Sequence, residues 1–162
     1  MRAAFPGSFD PLTVAHLAVA DAVRERRAAE RVDLVLSRQA LEKEGRAHAP
    51  VEERAAHIDS HSTDRPWLGA VITEAQLLVD IAVDYDLLVV GADKWHQLHD
   101  PRFYGDSERA RDDALARLPR LLVVPRAGIE LPHSVDEILR IEDHHRHVSS
   151  TAVRRGRDEW RA

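Results

Sequence analysis

The 162-residue sequence contains no cysteine. Disulfides, thiolate zinc ligands and thiol nucleophiles are therefore excluded. Aromatic residues are scarce at 5%, so the core must come from aliphatic side chains. No apolar run approaches the roughly 18 residues that cross a bilayer. The N-terminus, Met1-Arg2-Ala3-Ala4-Phe5, runs straight into Pro6-Gly7 and lacks the apolar centre of a signal peptide. No membrane partner is expected, and a cytoplasmic location is. Basic charge is also short: 23 Lys and Arg against 28 Asp and Glu leave −5. That balance speaks against nucleic acid as a partner. Net charge belongs to the whole molecule, however, and leaves room for a basic cleft.

Hydrophobic residues, at 44%, suffice for a core, and the 31% charged fraction suits a solvated surface. The length fits one domain over residues 1–162. Strand-like runs fall at residues 2–5, 32–36, 67–72, 87–90 and 121–124, with a short sixth at 138–141. Helical patterns fall at 14–27, 50–61, 74–83 and 107–118, and a last helix starts at 151 and reaches 157. Residues 41–49 are polar and read as loop. Leu87-Leu88-Val89-Val90 is a continuous apolar run, as expected of a strand buried on both faces. Alternating strands and helices imply crossover connections. The expected fold is α/β, a single Rossmann-like domain with a parallel sheet of about five strands and helices on both faces.

Chemistry concentrates where strands end. Gly7-Ser8-Phe9-Asp10-Pro11-Leu12-Thr13-Val14-Ala15-His16 links the first strand to the first helix. In a doubly wound sheet, ligands gather there. Gly7 permits close backbone approach, and amides at a helix start favour phosphate. Thr13 is placed to cap that helix, and His16 follows in its first turn, so both would face bound phosphates. The same residues also read as an ordinary turn, a cap and a surface histidine. Neither GxGxxG nor GxxxxGKS/T is present. A second candidate is Val148-Ser149-Ser150-Thr151-Ala152-Val153-Arg154, with hydroxyls and amides at a helix start and Arg154 on the same side. A third is Gly91-Ala92-Asp93-Lys94-Trp95, after the buried fourth strand. His144, His145 and His147 form a biased stretch with no evident carboxylate or cysteine partner, so no metal site is expected there.

The first segment resembles the first motif of the adenylyltransferases that make nicotinate or nicotinamide dinucleotides and dephospho-coenzyme A, Gly-Ser/Thr-Phe-Asp/Asn-Pro-x-His/Thr-x-x-His. The segment from Val148 to Arg154 is similar to their ISSTxIR motif. The order and separation of the two also fit. The resemblance implies transfer of AMP from ATP to a phosphorylated small molecule, with pyrophosphate leaving. It implies Thr13, His16 and Arg154 as catalytic residues. It implies ATP contacts from Gly7, Ser8, Phe9, His16, Gly91, Asp93, Ser149, Ser150, Thr151 and Arg154. Lys43, in the loop after the second strand, and Trp95 are the acceptor-side candidates, with Tyr104 a second aromatic choice. Arg54 matches a recurring helix start in the family, where salt bridging along that helix is its expected role. Mg²⁺ would arrive with ATP, held by phosphate oxygens and water rather than by a protein cage.

Pro6 before Gly7, and Thr at position 13, look closest to the phosphopantetheine adenylyltransferases. Gly91-Ala92-Asp93 and the Ser149-Ser150-Thr151 run lean toward the pyridine mononucleotide enzymes, which extend further than the eight residues that follow Arg154. The preferred acceptor is nicotinate or nicotinamide mononucleotide, in NAD biosynthesis. The alternatives are phosphopantetheine or another phosphorylated acceptor, and a nucleotide-binding protein without turnover. Assembly into a homo-oligomer is left open.

Overall fold

A computed structural model describes residues 1–39, 49–132, 135 and 137–162. Five strands form one parallel sheet: β1 (Arg2–Pro6), β2 (Arg31–Ser37), β3 (Leu68–Thr73), β4 (Leu87–Gly91) and β5 (Arg120–Val124). Their order is β3-β2-β1-β4-β5. The chain thus builds outward from β1 to β3, then returns to place β4 on the other side of β1. The crevice between the carboxyl ends of β1 and β4 is the switch point where such sheets bind ligands.

Among the described residues, six α-helices cover the two faces: α1 (Val14–Arg27), α2 (Val51–Ser60), α3 (Leu78–Ile81), α4 (Ala92–His99), α5 (Glu108–Leu115) and α6 (Ser150–Arg154). Strand side chains alternate between two cores. Ala3, Phe5, Val32, Leu34, Leu36, Leu87 and Val89 face the α1 and α2 side, with Leu17, Val23, Ala55 and Ile58 packed on them. Ala4, Val35, Leu88 and Val90 face the other side, with Leu78, Val79, Leu98 and Ala114. Residues 87–90 are wholly buried, as the unbroken apolar run requires. Asp33 is the exception, a carboxylate at 0% exposure inside β2. Arg31 Nε at 2.6 Å, Arg2 Nη2 at 3.1 Å and the Tyr85 hydroxyl at 3.2 Å all donate to it. Burial first, then the facing Asp33 charge, pushes the Tyr85 phenol up to about 12.

Three expectations change. The helix expected over 74–83 shrinks to Leu78–Ile81. Thr73 Oγ1 accepts from the Ala75 amide at 3.1 Å, and the Ser37 hydroxyl donates to the Ala75 carbonyl at 2.7 Å. Side chains therefore occupy the groups a helix would have used. The sixth strand expected over 138–141 is a single bridge between Val123 and Ile138. The Arg140 carbonyl accepts from Arg26 of α1 rather than from β5, so the ladder stops. The last helix ends at Arg154 rather than 157, with a turn into Gly156 at φ 107°. Helix α4 was not expected. Its signal is the three-residue spacing of Ala92, Trp95 and Leu98, closed by Asp100-Pro101.

Candidate active site

Thr13 is the N-cap of α1 and is 1% exposed. His16 sits at the third helical position, where a capping box normally places Glu or Gln. The Thr13 amide donates to His16 Nδ1 at 3.0 Å. The Thr13 hydroxyl lies 2.9 Å from the same nitrogen. A backbone N–H can only donate, so Nδ1 is an acceptor and the ring proton belongs on Nε2. The cap thus fixes both the tautomer and the orientation of the imidazole. Aromatic edges hold the ring as well: Phe9 and His16 meet edge to face at 5.0 Å, and Phe5 and Phe9 at 5.6 Å.

Phe9 is 2% exposed and has φ 44°, in the left-handed region. Its ring lies beneath Gly7, where an added Cβ would stand 2.7 Å from Phe9 Cζ. A side chain at position 7 would have to displace the buried Phe9 ring. The Gly7 amide donates to the Val35 carbonyl at 3.0 Å, so it extends the sheet and is not offered to a ligand.

The second motif docks on the first. Ser149 caps α6 by accepting from the Ala152 amide at 3.1 Å. The Ser150 hydroxyl donates to the Pro11 carbonyl at 2.7 Å. Arg154 donates through Nη1 to the Asp10 carbonyl and through Nη2 to Thr151 Oγ1 at 2.9 Å. Beyond α6, the Ala162 amide donates to the Leu12 carbonyl at 3.2 Å, and Arg161 bridges to Thr13. The first loop is therefore held from residue 10 to residue 13 by segments about 140 positions away.

Together these segments line one open cleft of about 330 Å³ at the β1/β4 crevice. Gly7, Ser8, Phe9, His16, Gly91, Asp93, Ser149, Ser150, Thr151 and Arg154 all line it, as the sequence placed them. Sequence reasoning assigned no ligand role to four polar contributors, Lys94, Arg126, His145 and Arg146, and did not foresee the apolar wall of Val124, Pro125 and Ile141 beside Val148. Lys94 carried a signal, since it directly follows Asp93. Arg126 did not, because only the ladder of β4 with β5 brings the end of β5 alongside Gly91. Among the described lining residues, Lys94, Arg126, Arg146 and Arg154 stand against the single carboxylate of Asp93. Arg126 approaches that carboxylate to 3.9 Å. A chain of net charge −5 thus carries a cationic cleft.

The remaining candidates are placed differently or lie outside the described residues. Thr13, expected to face phosphate beside His16, is 1% exposed and is not among the lining residues. Its hydroxyl and amide are both directed at His16. Trp95 is not among them either; it stacks on His99 with centroids 4.0 Å apart and rests on the second core. The Tyr104 hydroxyl donates to the Leu98 carbonyl at 2.9 Å. Lys43 lies outside the described residues. Arg54, expected in salt bridges along α2, instead donates to the Ser8 carbonyl at 2.6 Å. The histidine stretch does gain a carboxylate: donor atoms of Glu142, His144 and His145 lie within 4.8 Å of one another. No helix among the described residues is long and apolar enough to cross a membrane.

The sequence profile of the Cytidylyltransferase-like family matches residues 4–156. The chain belongs to that family. A probable nicotinate-nucleotide adenylyltransferase of Roseiflexus sp. (strain RS-1) is 30% identical over 91% of this chain and 81% of its own length. A second protein of that description, from Symbiobacterium thermophilum, is 38% identical over 39% of this chain and 30% of its own length. Among solved structures, the nicotinic acid mononucleotide adenylyltransferase of Plasmodium falciparum complexed with NaAD superposes with a TM-score of 0.64 at 13% identity. That match covers 95% of this chain and 82% of the other. The same enzyme complexed with APC gives 0.66 at 12% identity, with equal coverage. This cytidylyltransferase-like chain is a nucleotidyltransferase, and the structural neighbours share its parallel α/β fold.

Proposed function

We propose that the chain transfers AMP from ATP to nicotinate mononucleotide, forming the dinucleotide and releasing pyrophosphate. The observation that carries this reading is the cationic cleft, in which both motif segments and the end of β4 meet in an otherwise acidic molecule. The similarity to relatives described as nicotinate-nucleotide adenylyltransferases supports the choice of acceptor.

An oxygen of the acceptor's phosphate attacks the α-phosphorus of ATP, and the bond to the β-phosphate breaks. A phosphate monoester is already ionised near neutral pH, so no general base is required. Catalysis rests on positioning and on stabilising charge. His16 donates from Nε2 toward oxygens on which negative charge grows. Arg154, with the Ser150 and Thr151 amides at the start of α6, holds the departing pyrophosphate. The Ser150 hydroxyl acts through Pro11, to which its proton is committed. Asp93 accepts from the ribose. The lining residues offer one carboxylate against four cationic side chains, which suits Mg²⁺ bound through ATP phosphates and water. Bound there, it would supply neutralisation of phosphate charge.

Pyrophosphate release with ATP and Mg²⁺ tests this directly. Nicotinate mononucleotide, nicotinamide mononucleotide and 4′-phosphopantetheine are offered separately, and the first is expected to be turned over fastest. Turnover of phosphopantetheine alone would reassign the acceptor. Absence of release with every acceptor and nucleotide would remove the enzyme reading.

A further inference from the structure

Arg54 stands in the first turn of α2 and is not among the residues that line the cleft. Its guanidinium spans two carbonyls: Nη1 donates to Ser8 at 2.6 Å and Nε to Ala49 at 2.9 Å. Its neighbour Glu52 is taken by Arg38 at 2.5 Å, which leaves Arg54 directed at the first motif. Ser8 and Phe9 do line the cleft. A cation on another element thus grips the phosphate-facing loop by its backbone.

Two features make that grip consequential. The Ser8–Phe9 peptide is trans and planar, so its C=O and N–H point in opposite directions. Holding the Ser8 carbonyl toward Arg54 turns the Phe9 amide away from Arg54. Phe9 itself has φ 44°, a backbone state that a non-glycine residue keeps only when its surroundings enforce it. Phe5 and His16 hold its ring. Arg54 holds the peptide before it. Burial lowers the guanidinium's affinity for its proton, with Asp10 and Glu52 opposing, yet arginine stays charged. The bond to Ser8 is therefore charge-assisted, and it polarises the peptide so that the Phe9 N–H is a stronger donor.

We infer that Arg54 is a positioning residue for nucleotidyl transfer: from outside the cleft it fixes the Ser8–Phe9 peptide so that the Phe9 amide is presented to the reacting phosphates. The role rests on the nucleotidyl-transfer reading of the cleft and is separable from it. Arg54 acts through the loop backbone and not from the cleft lining.

The test compares wild type, Arg54→Met and Arg54→Lys in pyrophosphate release from ATP, Mg²⁺ and nicotinate mononucleotide. Melting temperatures are measured on the same preparations, and guanidinium ion is added as a rescue. Folded Arg54→Met should show kcat lower by about 10–100-fold, the cost of a misplaced catalytic group, with a smaller rise in KM for ATP. Guanidinium ion should restore part of that kcat. Arg54→Lys should fall between, because an ammonium cannot reproduce the two-carbonyl fork. Wild-type kcat and KM in folded Arg54→Met would overturn the role. So would a loss that tracks the unfolded fraction and ignores guanidinium. If Arg54→Met does not fold, Arg54→Lys decides: reduced kcat at an unchanged melting temperature supports the role, and wild-type kcat overturns it. A wild type that releases no pyrophosphate removes the transfer reading itself, and this role with it.

Discussion

At the scale of single residues, the capping box of α1 ties structure to chemistry. A Glu at the third helical position would satisfy the same amide. His16 satisfies it too, and in doing so its second nitrogen becomes a donor of known direction. His16→Ala should keep ATP affinity within a few-fold. Turnover should fall by about 10²–10³, the usual cost of losing one donor to developing charge. Thr13→Val removes the hydroxyl and keeps the amide. It should lose about 1 kcal/mol of stability as a cap substitution, with a smaller loss of turnover than His16→Ala. Calorimetric ATP binding, thermal melting and single-turnover rates on both variants measure the two effects. Equal turnover losses would show that His16 is held by the hydroxyl and not by the amide.

At the scale of elements, α6 does two things with one face. Ser150 and Arg154 bond to the carbonyls of Pro11 and Asp10, so the second motif braces the first. The same arginine lines the cleft. Arg154→Ala should therefore weaken ATP binding by about tenfold or more, since a charge-assisted contact is worth roughly 1.5–3 kcal/mol. It should also lower the melting temperature, because the Asp10 carbonyl loses its donor. Calorimetry and melting on the variant read both, and unchanged ATP affinity would take Arg154 out of phosphate binding. The paired motifs were legible in order and residue type. Helix α4 was missed because its apolar positions number only three over eight residues. The sixth strand was overread because an apolar pair, Ile138 and Leu139, also suits a single bridge.

For the whole molecule, pH dependence follows from partly buried imidazoles. His61 is held below its ordinary value by burial first, then by neighbouring His57 and Arg65, with Asp64 opposing. His145 is lowered by burial and by His144, with Glu142 opposing. Below the unfolded value of about 6.5, the unfolded chain binds protons that the folded chain refuses. The stability these groups contribute is complete above that value and is lost as pH falls through the folded values. The melting temperature should decline from about pH 7 to about pH 5, and His61→Gln should flatten that decline. An unchanged slope in the variant would show that His61 does not set it.

The parallel sheet was legible in the alternation of strand-like and helical segments along the chain. A parallel strand buried on both faces is apolar throughout, and residues 87–90 fit that pattern. Hydroxyls, amides and arginine at helix starts suggested a phosphate site, and the reaction class was legible only through the resemblance of residues 7–16 and 148–154 to the two adenylyltransferase motifs. The neighbours of that chemistry were decided only in three dimensions. Arg126 reaches Asp93 through strand pairing, and Arg54 reaches Ser8 across 46 positions. Thr13, the cap of α1, is buried and bridged by Arg161 from the far end of the sequence. Hydrogen bonds and charge act over a few ångströms of space, and sequence distance does not report that spacing.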